Sequence, residues 1–156
     1  MKYILLTCLL FLGTNVPPLN QKVVDYLDTV IGKKVDRGEC WDLAAAALDH
    51  AGAFLDRSSQ KSIYVFGKVV NPKTDEIFAG DIIQLENVKL EYTKDDGIYT
   101  ENMAHHTAIV YKVLDKNHFE IAHQNTSFSG KKVGVSEFKL SDVKKGKIIF
   151  YRPVKK

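Results

Sequence analysis

The chain has 156 residues, a length typical of one ordinary domain with a single buried core. Its composition, 45% hydrophobic and 26% charged residues, is that of a soluble globular protein. The formal net charge of +3 at pH 7 is mild, and the late lysines are interleaved with apolar residues rather than gathered into a basic stripe. These features exclude a nucleic-acid-binding surface.

The N-terminus predicts a secretory signal peptide. Lys2 precedes an apolar run of ten residues, 3–12, and two adjacent prolines follow shortly after it. Such a run is too short to span a bilayer but has the length of a signal-peptide core. We therefore expect residues 1–18 to be removed and residues 19–156 to form one domain. That domain would be secreted or kept in the periplasm or cell envelope, without stable membrane insertion of the mature chain.

The cysteine count then leaves one thiol to explain. Of the two cysteines, Cys8 lies inside the predicted signal peptide and Cys40 lies in the mature chain. Without a second cysteine, the mature chain has no intrachain disulfide. Cys40 is then either a buried, inert residue or a reactive thiol.

The hydrophobic pattern predicts helices first and strands afterwards. Apolar residues recur at helical spacing over 19–31, and an alanine-rich helix is predicted from about Glu39 to His50, closed by Gly52. Residues 86–104 carry a hairpin that is either a lid over a cleft or simply a solvated turn. This order predicts an α+β domain with helices packed on an antiparallel sheet. Strands are predicted at 63–66, 82–85, 88–92, 98–102, 107–113, 118–123 and 147–152.

Cys40 stands at the first turn of the second helix. There the unpaired backbone N–H groups and the helix dipole favour a thiolate, and the same N–H groups can bind an oxyanion. A thiolate nucleophile also needs a base and a group that orients the base. Burial is common for cysteine, so the position alone favours an inert residue.

Histidines in the strand region supply candidates for the base. His105 and His106 are adjacent at the start of a strand, so they face opposite sides: His106 with Ala108, and His105 with Thr107. One strand later, His123 and Asn125 share a face, and either can hold the base's second nitrogen. A metal site is the weaker alternative, because the adjacent pair diverges and no ligand spacing typical of zinc is present.

Four segments in order resemble the NlpC/P60 and CHAP superfamily of papain-like cysteine hydrolases. They are "GECWDLA", "AGDIIQLENV", "HHTAIV" and "IAHQN", and they span residues 38–125. The resemblance implies a helix that carries the nucleophile, packed on a central antiparallel sheet or half-barrel. The sequence departs from the family pattern in two places: "GECW" stands where "DCSG" is common, and His105 replaces a glycine.

The resemblance also implies roles for individual residues. Cys40 would attack an amide carbonyl, His106 rather than His105 would act as base, and His123 or Asn125 would orient it. Trp41 would line the substrate pocket. The implied substrate is peptidoglycan, either its stem peptide or the amide that joins the stem to the glycan, with no cofactor and no metal. The oligomeric state is left open.

Two other functions remain compatible with the same residues. One is a papain-fold binding module without activity, whose cleft is blocked by Trp41. The other is a lipid acyltransferase or thioesterase related to the superfamily, although those relatives usually place the histidine before the cysteine in the chain. A Cys40 sulfur within about 4 Å of a ring nitrogen of His106 would favour the hydrolase, and a buried sulfur without such a partner would rule it out.

Overall fold

The computed structural model describes residues 16–95 and 97–156. Within them, two α-helices precede six β-strands that form one antiparallel sheet in the order β1-β6-β2-β3-β4-β5. Two short 3-10 helices are present: Ser62–Tyr64 between α2 and β1, and Leu140–Asp142 between β5 and β6. The elements are α1 (Pro18–Val30), α2 (Cys40–Ala51), β1 (Lys68–Val70), β2 (Ile82–Lys94), β3 (Gly97–Asp115), β4 (His118–His123), β5 (Gly134–Lys139) and β6 (Val143–Arg152).

The prediction of an α+β domain with N-terminal helices packed on an antiparallel sheet is confirmed. One hydrophobic cluster joins the helices to the sheet, with Leu43 and Leu48 of α2 in the same buried group as Ile82 and Ile109. The small side chains of the alanine run let α2 lie close to the strands. A second cluster covers the opposite face of the sheet and includes Leu85, Val110, Phe119, Ile121, Phe138 and Phe150.

Several details of the predicted strands differ from the structure. The strand predicted at 63–66 is wrong, because the segment forms a 3-10 turn held by hydrogen bonds between Ser59 and Ser62. The runs 82–85 and 88–92 belong to one long strand, β2, and the runs 98–102 and 107–113 belong to β3. The short strand β1 and the edge strand β5 were not predicted. The predicted signal peptide falls largely on residues outside the described range.

The paired ends of β2 and β3 form a long hairpin, which we call the arm (residues 88–94 and 97–104); β6 pairs with β2 only as far as Leu90. β3 pairs with β4 only from Ile109 onward, whereas its pairing with β2 continues to Gly97. Within the described residues, the edge of residues 97–106 that faces away from β2 therefore has no neighbouring strand; we call it the open edge. A bulge in β2, with Asn87 at φ +50°, marks the base of the arm.

A buried carboxylate ties the two ends of the domain to the start of β2. Asp81 accepts hydrogen bonds from the Asn20 side chain of α1 at 2.8 Å and from Arg152 Nη2 of β6 at 2.9 Å. Gly80 precedes it at φ +85°, and a Cβ there would lie 2.4 Å from the Asn20 carbonyl oxygen. The Gly-Asp pair of the sequence thus has a structural role at this crossing.

No helix in the described part of the chain is both long enough and apolar enough to cross a membrane.

Candidate active site

Cys40 is the first residue of α2 and is half-buried. Glu39 is the N-cap, and its backbone N–H donates to the buried carboxylate of Asp42 at 3.0 Å. Arg37 donates to the same carboxylate at 2.7 Å. These contacts fix the start of the helix, where first-turn N–H groups have no intrahelical acceptor. The Cys40 thiol is thus held at the positive end of α2.

Two buried histidines form a hydrogen-bonded pair on neighbouring strands. His106 Nε2 of β3 lies 3.0 Å from His123 Nδ1 of β4, and the side chains are 8% and 3% exposed respectively. The second nitrogen of His123, Nε2, lies 2.9 Å from the Ser136 hydroxyl of β5. Three adjacent strands therefore contribute one member each to a chain of hydrogen bonds.

Both imidazoles are neutral at neutral pH. Burial, with a smaller effect of the neighbouring His105, lowers the pKa of His106 to about 4. Burial, with a smaller effect of His106, lowers the pKa of His123 to about 3. Each ring therefore carries one N–H and one lone pair. If His106 donates through Nε2 and His123 donates through Nε2 to Ser136, the lone pair on His106 Nδ1 is left free to accept a proton.

Cys40 and this histidine pair line the same cavity, which has a volume of about 880 Å³. His105, Asn125 and Ser136 line it as well. His105 and His106 face opposite sides of β3, as the strand alternation predicts. His105 shares the face of Ile109, on which the helices pack, and His106 shares the face of Ala108. Both line the cavity, and the hydrogen bonds of the two rings are to Gln84 and to His123 and not to the Cys40 thiol.

His105 has different partners from His106. It is exposed, and its Nε2 lies 3.0 Å from the Gln84 side-chain nitrogen. Because Gln84 Oε1 already accepts a hydrogen bond from Thr107, the amide nitrogen donates to His105. The ring also meets Tyr64 edge-to-face, with centroids 4.2 Å apart. These contacts of His105 therefore include no second histidine that could orient its ring, as His123 does for His106.

The other two predicted site residues have separate surroundings. Asn125 lies beyond the end of β4 at φ +63°, and its amide donates to Glu39 Oε2 at 2.8 Å. Trp41 lies outside the lining of the cavity. Its ring packs against the helix–sheet cluster, and its Nε1 donates to the Ile63 carbonyl at 2.7 Å.

A buried glutamine, Gln124, joins the two halves of the site. Its Nε2 donates to the Glu39 carbonyl at 2.7 Å and to the Val35 carbonyl at 3.0 Å, and its Oε1 accepts from the Val35 N–H at 3.2 Å. Gln124 directly follows His123, and Glu39 directly precedes Cys40. The side chain thus sets the position of the nucleophile's helix relative to the histidine strand.

Sequence reasoning missed both Gln124 and Ser136. Gln124 stands between the two predicted orienting residues, and its alternation with His123 places it on the helix side of β4. Ser136 lies in a short edge strand whose pattern gave no strand signal. Within the described ranges, no group of three or more metal-ligating side chains is placed to hold an ion.

A helix that begins at a cysteine, packed on an antiparallel sheet that carries a buried histidine pair, is the arrangement of a papain-like cysteine proteinase fold. The family model described as "AIM3/BBC1 Cysteine proteinase-fold domain" matches residues 19–156. The chain belongs to this family of cysteine proteinase-fold domains.

Comparison with solved structures gives the same fold. The chain is similar to the protein in "The crystal structure of Ly7917", with a TM-score of 0.53 and 20% sequence identity, over 85% of this chain and 62% of that one. A second structure, "The crystal structure of Ly7917 with the hydrolyzing product of MDP", matches with a TM-score of 0.48 and 19% identity, over 86% and 63%. The chain thus spans less than two thirds of the length of these proteins. No curated protein matches the sequence.

Proposed function

We propose that this chain is a cysteine hydrolase that cleaves an amide bond through a thioester on Cys40. One observation carries the proposal: Cys40, at the start of a helix, shares a cavity with a buried histidine that is hydrogen-bonded to a second histidine. A nucleophile, a base and an orienting group are the parts that thiol hydrolysis requires. Membership in a cysteine proteinase-fold family supports the same reaction class.

In the first half of the proposed reaction, the Cys40 sulfur attacks the amide carbonyl, and its proton passes to His106 Nδ1. First-turn N–H groups of α2 stabilise the oxyanion. The C–N bond then breaks, the leaving amine takes the proton from His106, and a thioester remains. In the second half, His106 takes a proton from water, the hydroxide attacks the thioester, and the acid product and the thiol are released.

The hydrogen bonds to His106 and His123 support this division of roles. His106 Nε2 contacts His123, so Nδ1 is the ring nitrogen to which the proposal assigns the proton transfer. Of the two residues predicted to orient the base, His123 has the contact with His106, and the amide of Asn125 donates to Glu39 instead. The finer assignment, an NlpC/P60-like or CHAP-like enzyme, is part of the proposal and rests on the resemblance of the four motifs.

Two substitutions of neighbouring histidines test the assignment of the base. Wild type, Cys40→Ala, His106→Gln and His105→Gln are incubated with peptidoglycan fragments and with casein peptides, and the products are read by mass spectrometry. We expect cleavage in wild type, none in Cys40→Ala, and a loss of about 100-fold or more in His106→Gln, since a positioned general base contributes about 10²–10⁴ in rate. A larger loss in His105→Gln than in His106→Gln would overturn the assignment.

Peptidoglycan and export are part of the proposal because of the motif resemblance and the apolar N-terminus. The candidate bonds are an amide of the stem peptide or the amide that joins the stem to the glycan. The mature enzyme would act outside the cytoplasm, as a secreted or cell-envelope protein. Mass spectrometry of the intact protein recovered from the native cell tests export, and a retained N-terminal segment in an unexported chain would contradict it.

One form of the binding-module alternative is a cleft blocked by Trp41. The ring of Trp41 instead packs against the core beside Ile63, away from the residues that line the cavity. The structure therefore gives this alternative no support at that residue. No observation favours an acyltransferase over a hydrolase.

A further inference from the structure

The cavity that contains Cys40 continues away from it along the arm. Six consecutive residues of β3, 101–106, line this part of the cavity. Successive side chains of a strand point to opposite faces of the sheet, so a cavity on one face meets only alternate residues. Residues of β2, 90 and 92–94, line the cavity as well, so it covers a face of the arm and also reaches the edge of β3, where backbone N–H and C=O groups lie.

That edge is the open edge of β3. In the part of the chain that the structure describes, β4 pairs with β3 only from Ile109 onward, and residues 97–106 pair with β2 alone. Their outward N–H and C=O groups have no strand partner. Unpaired strand edges are templates for another extended chain. Here the edge leads directly to His106, the proposed base.

We propose that the substrate is an extended peptide that binds by adding a strand to the open edge, which brings its scissile amide to Cys40. This inference rests on the proposed thiol hydrolysis at Cys40, and it assigns linear peptides as the substrate class in place of the peptidoglycan expected from the motif resemblance. Backbone hydrogen bonds would supply affinity, as in other cases of strand addition. From residue 101 to residue 106 the edge is about 17 Å long at about 3.4 Å per residue, which accommodates about five peptide residues.

Apolar side chains in the cavity lining suit the side chains of such a strand. Phe128, Val135 and Phe138 line the cavity, as do Leu90 and Met103 of the arm. Phe128 is 57% exposed, so a large apolar surface is available for contact. Because alternate side chains of an added strand point the same way, we expect apolar residues at every second position of the peptide. Charged residues of both signs also line the cavity, namely Lys94, Lys139, Glu101, Glu137 and Asp142.

Peptide chloromethyl ketones of increasing length measure this binding directly. The Cys40 thiolate forms a C–S bond to the chloromethyl carbon, and chloride leaves. The probes are acetylated peptides of one to five residues with alternating leucine and alanine, and the rate of Cys40 labelling is followed by mass spectrometry. We expect the rate constant at low probe concentration to rise by about tenfold or more between one and four residues, which corresponds to about 1.4 kcal/mol of added binding.

N-methylation of the probe distinguishes strand pairing from side-chain contact. Alternate N–H groups of a strand point to the same edge, so methylation at every second position should abolish the gain, and methylation of the intervening positions should leave it. Amide hydrogen exchange of the labelled protein provides a second measurement. Exchange over residues 97–106 should slow with the five-residue label, compared with protein labelled by iodoacetamide.

The outcomes separate this proposal from the proposed function. Labelling by iodoacetamide that depends on His106 supports the nucleophile and base, whatever the length series shows. A rate that does not change with probe length, or a methylation effect without a two-residue period, overturns strand addition and leaves the hydrolase standing. Cleavage only of glycan-linked muropeptides, with casein peptides intact, would likewise overturn the extended-peptide class. Cys40→Ala, which cannot be labelled at this position, is the control for labelling elsewhere.

Discussion

The hydroxyl of Ser136 decides which tautomers the two paired histidines adopt. Ser136 contacts His123 Nε2, and His123 Nδ1 contacts His106. Neutral imidazole has two tautomers, and the hydrogen bond at one nitrogen decides which nitrogen carries the proton. A serine that accepts from His123 Nε2 leaves His123 Nδ1 free to accept from His106. Ser136 therefore acts as a positioning residue for the base, through His123.

Removing that hydroxyl should slow the reaction without unfolding the protein. We expect Ser136→Ala to lower the rates of hydrolysis and of Cys40 alkylation by about tenfold, the effect of one net hydrogen bond of about 1.4 kcal/mol. Ser136→Thr, which keeps the hydroxyl, should restore most of the rate. The measurements are alkylation rates across pH 5–9 and ¹⁵N shifts of the His123 ring. An unchanged His123 tautomer in Ser136→Ala would argue against the positioning role.

Among the elements, the contact between β4 and the segment before α2 is the one that assembles the site. Gln124 satisfies both backbone groups of Val35 and the carbonyl of Glu39 from within the core. Replacing it leaves buried polar groups without partners, at about 1–3 kcal/mol. We expect Gln124→Ala to lose stability by about that amount and to slow alkylation of Cys40. Gln60→Ala, at an exposed position, is the matched control in urea denaturation and should be close to wild type.

The crossing of α1, β2 and β6 gives a second prediction for the elements. Asp81 is fully buried and pairs with Arg152, so Asp81→Ala leaves a partly buried guanidinium without its carboxylate. Breaking a buried pair in this way costs about 3–5 kcal/mol. Asp49→Ala removes an Arg57 pair of similar length at the surface and should cost less than about 1 kcal/mol. Equal losses of stability in the two variants would contradict the structural role of Asp81.

The elements also explain how much of the molecule could be predicted. The apolar residues of α1 recur at helical spacing, and this pattern located the first helix. The alanine run of α2 and its end at Gly52 located the second. Strand alternation correctly separated the faces of His105 and His106. The same rule failed for Asn125, because β4 ends at His123 and the chain turns there. β5, and the contacts of Ser136 and Gln124, depend on pairing between distant segments, which local patterns do not encode.

For the molecule as a whole, the buried histidines couple stability to pH. Their pKa values are lowered in the folded state, to about 4 for His106 and about 3 for His123, from an ordinary value of 6.5. The unfolded chain therefore binds more protons than the folded chain as pH falls below 6.5. The contribution of the pair to stability is complete above that pH and is lost progressively as the pH falls toward the folded values.

We therefore expect the melting temperature to fall between pH 6.5 and 5, above the range where ordinary carboxylates titrate. Calorimetry of wild type and His123→Gln checks this, since the variant lacks one of the two groups and should show a shallower slope. His118→Gln, at a surface ion pair with Glu137, is the control for replacing a histidine elsewhere. Identical slopes in wild type and His123→Gln would show that the pair does not link protonation to folding.

The Gln124 contacts have a consequence for how the site can change over evolution. They join positions 85 residues apart in the chain, so the spacing of Cys40 and His123 is set across the core and not by residues 126–130 of the loop that follows β4. That loop closes on itself through reciprocal backbone hydrogen bonds between Thr126 and Gly130. Insertions or replacements within it can therefore reshape one wall of the cavity, including Phe128, while the nucleophile and base keep their relative positions. Specificity and chemistry are then free to vary separately.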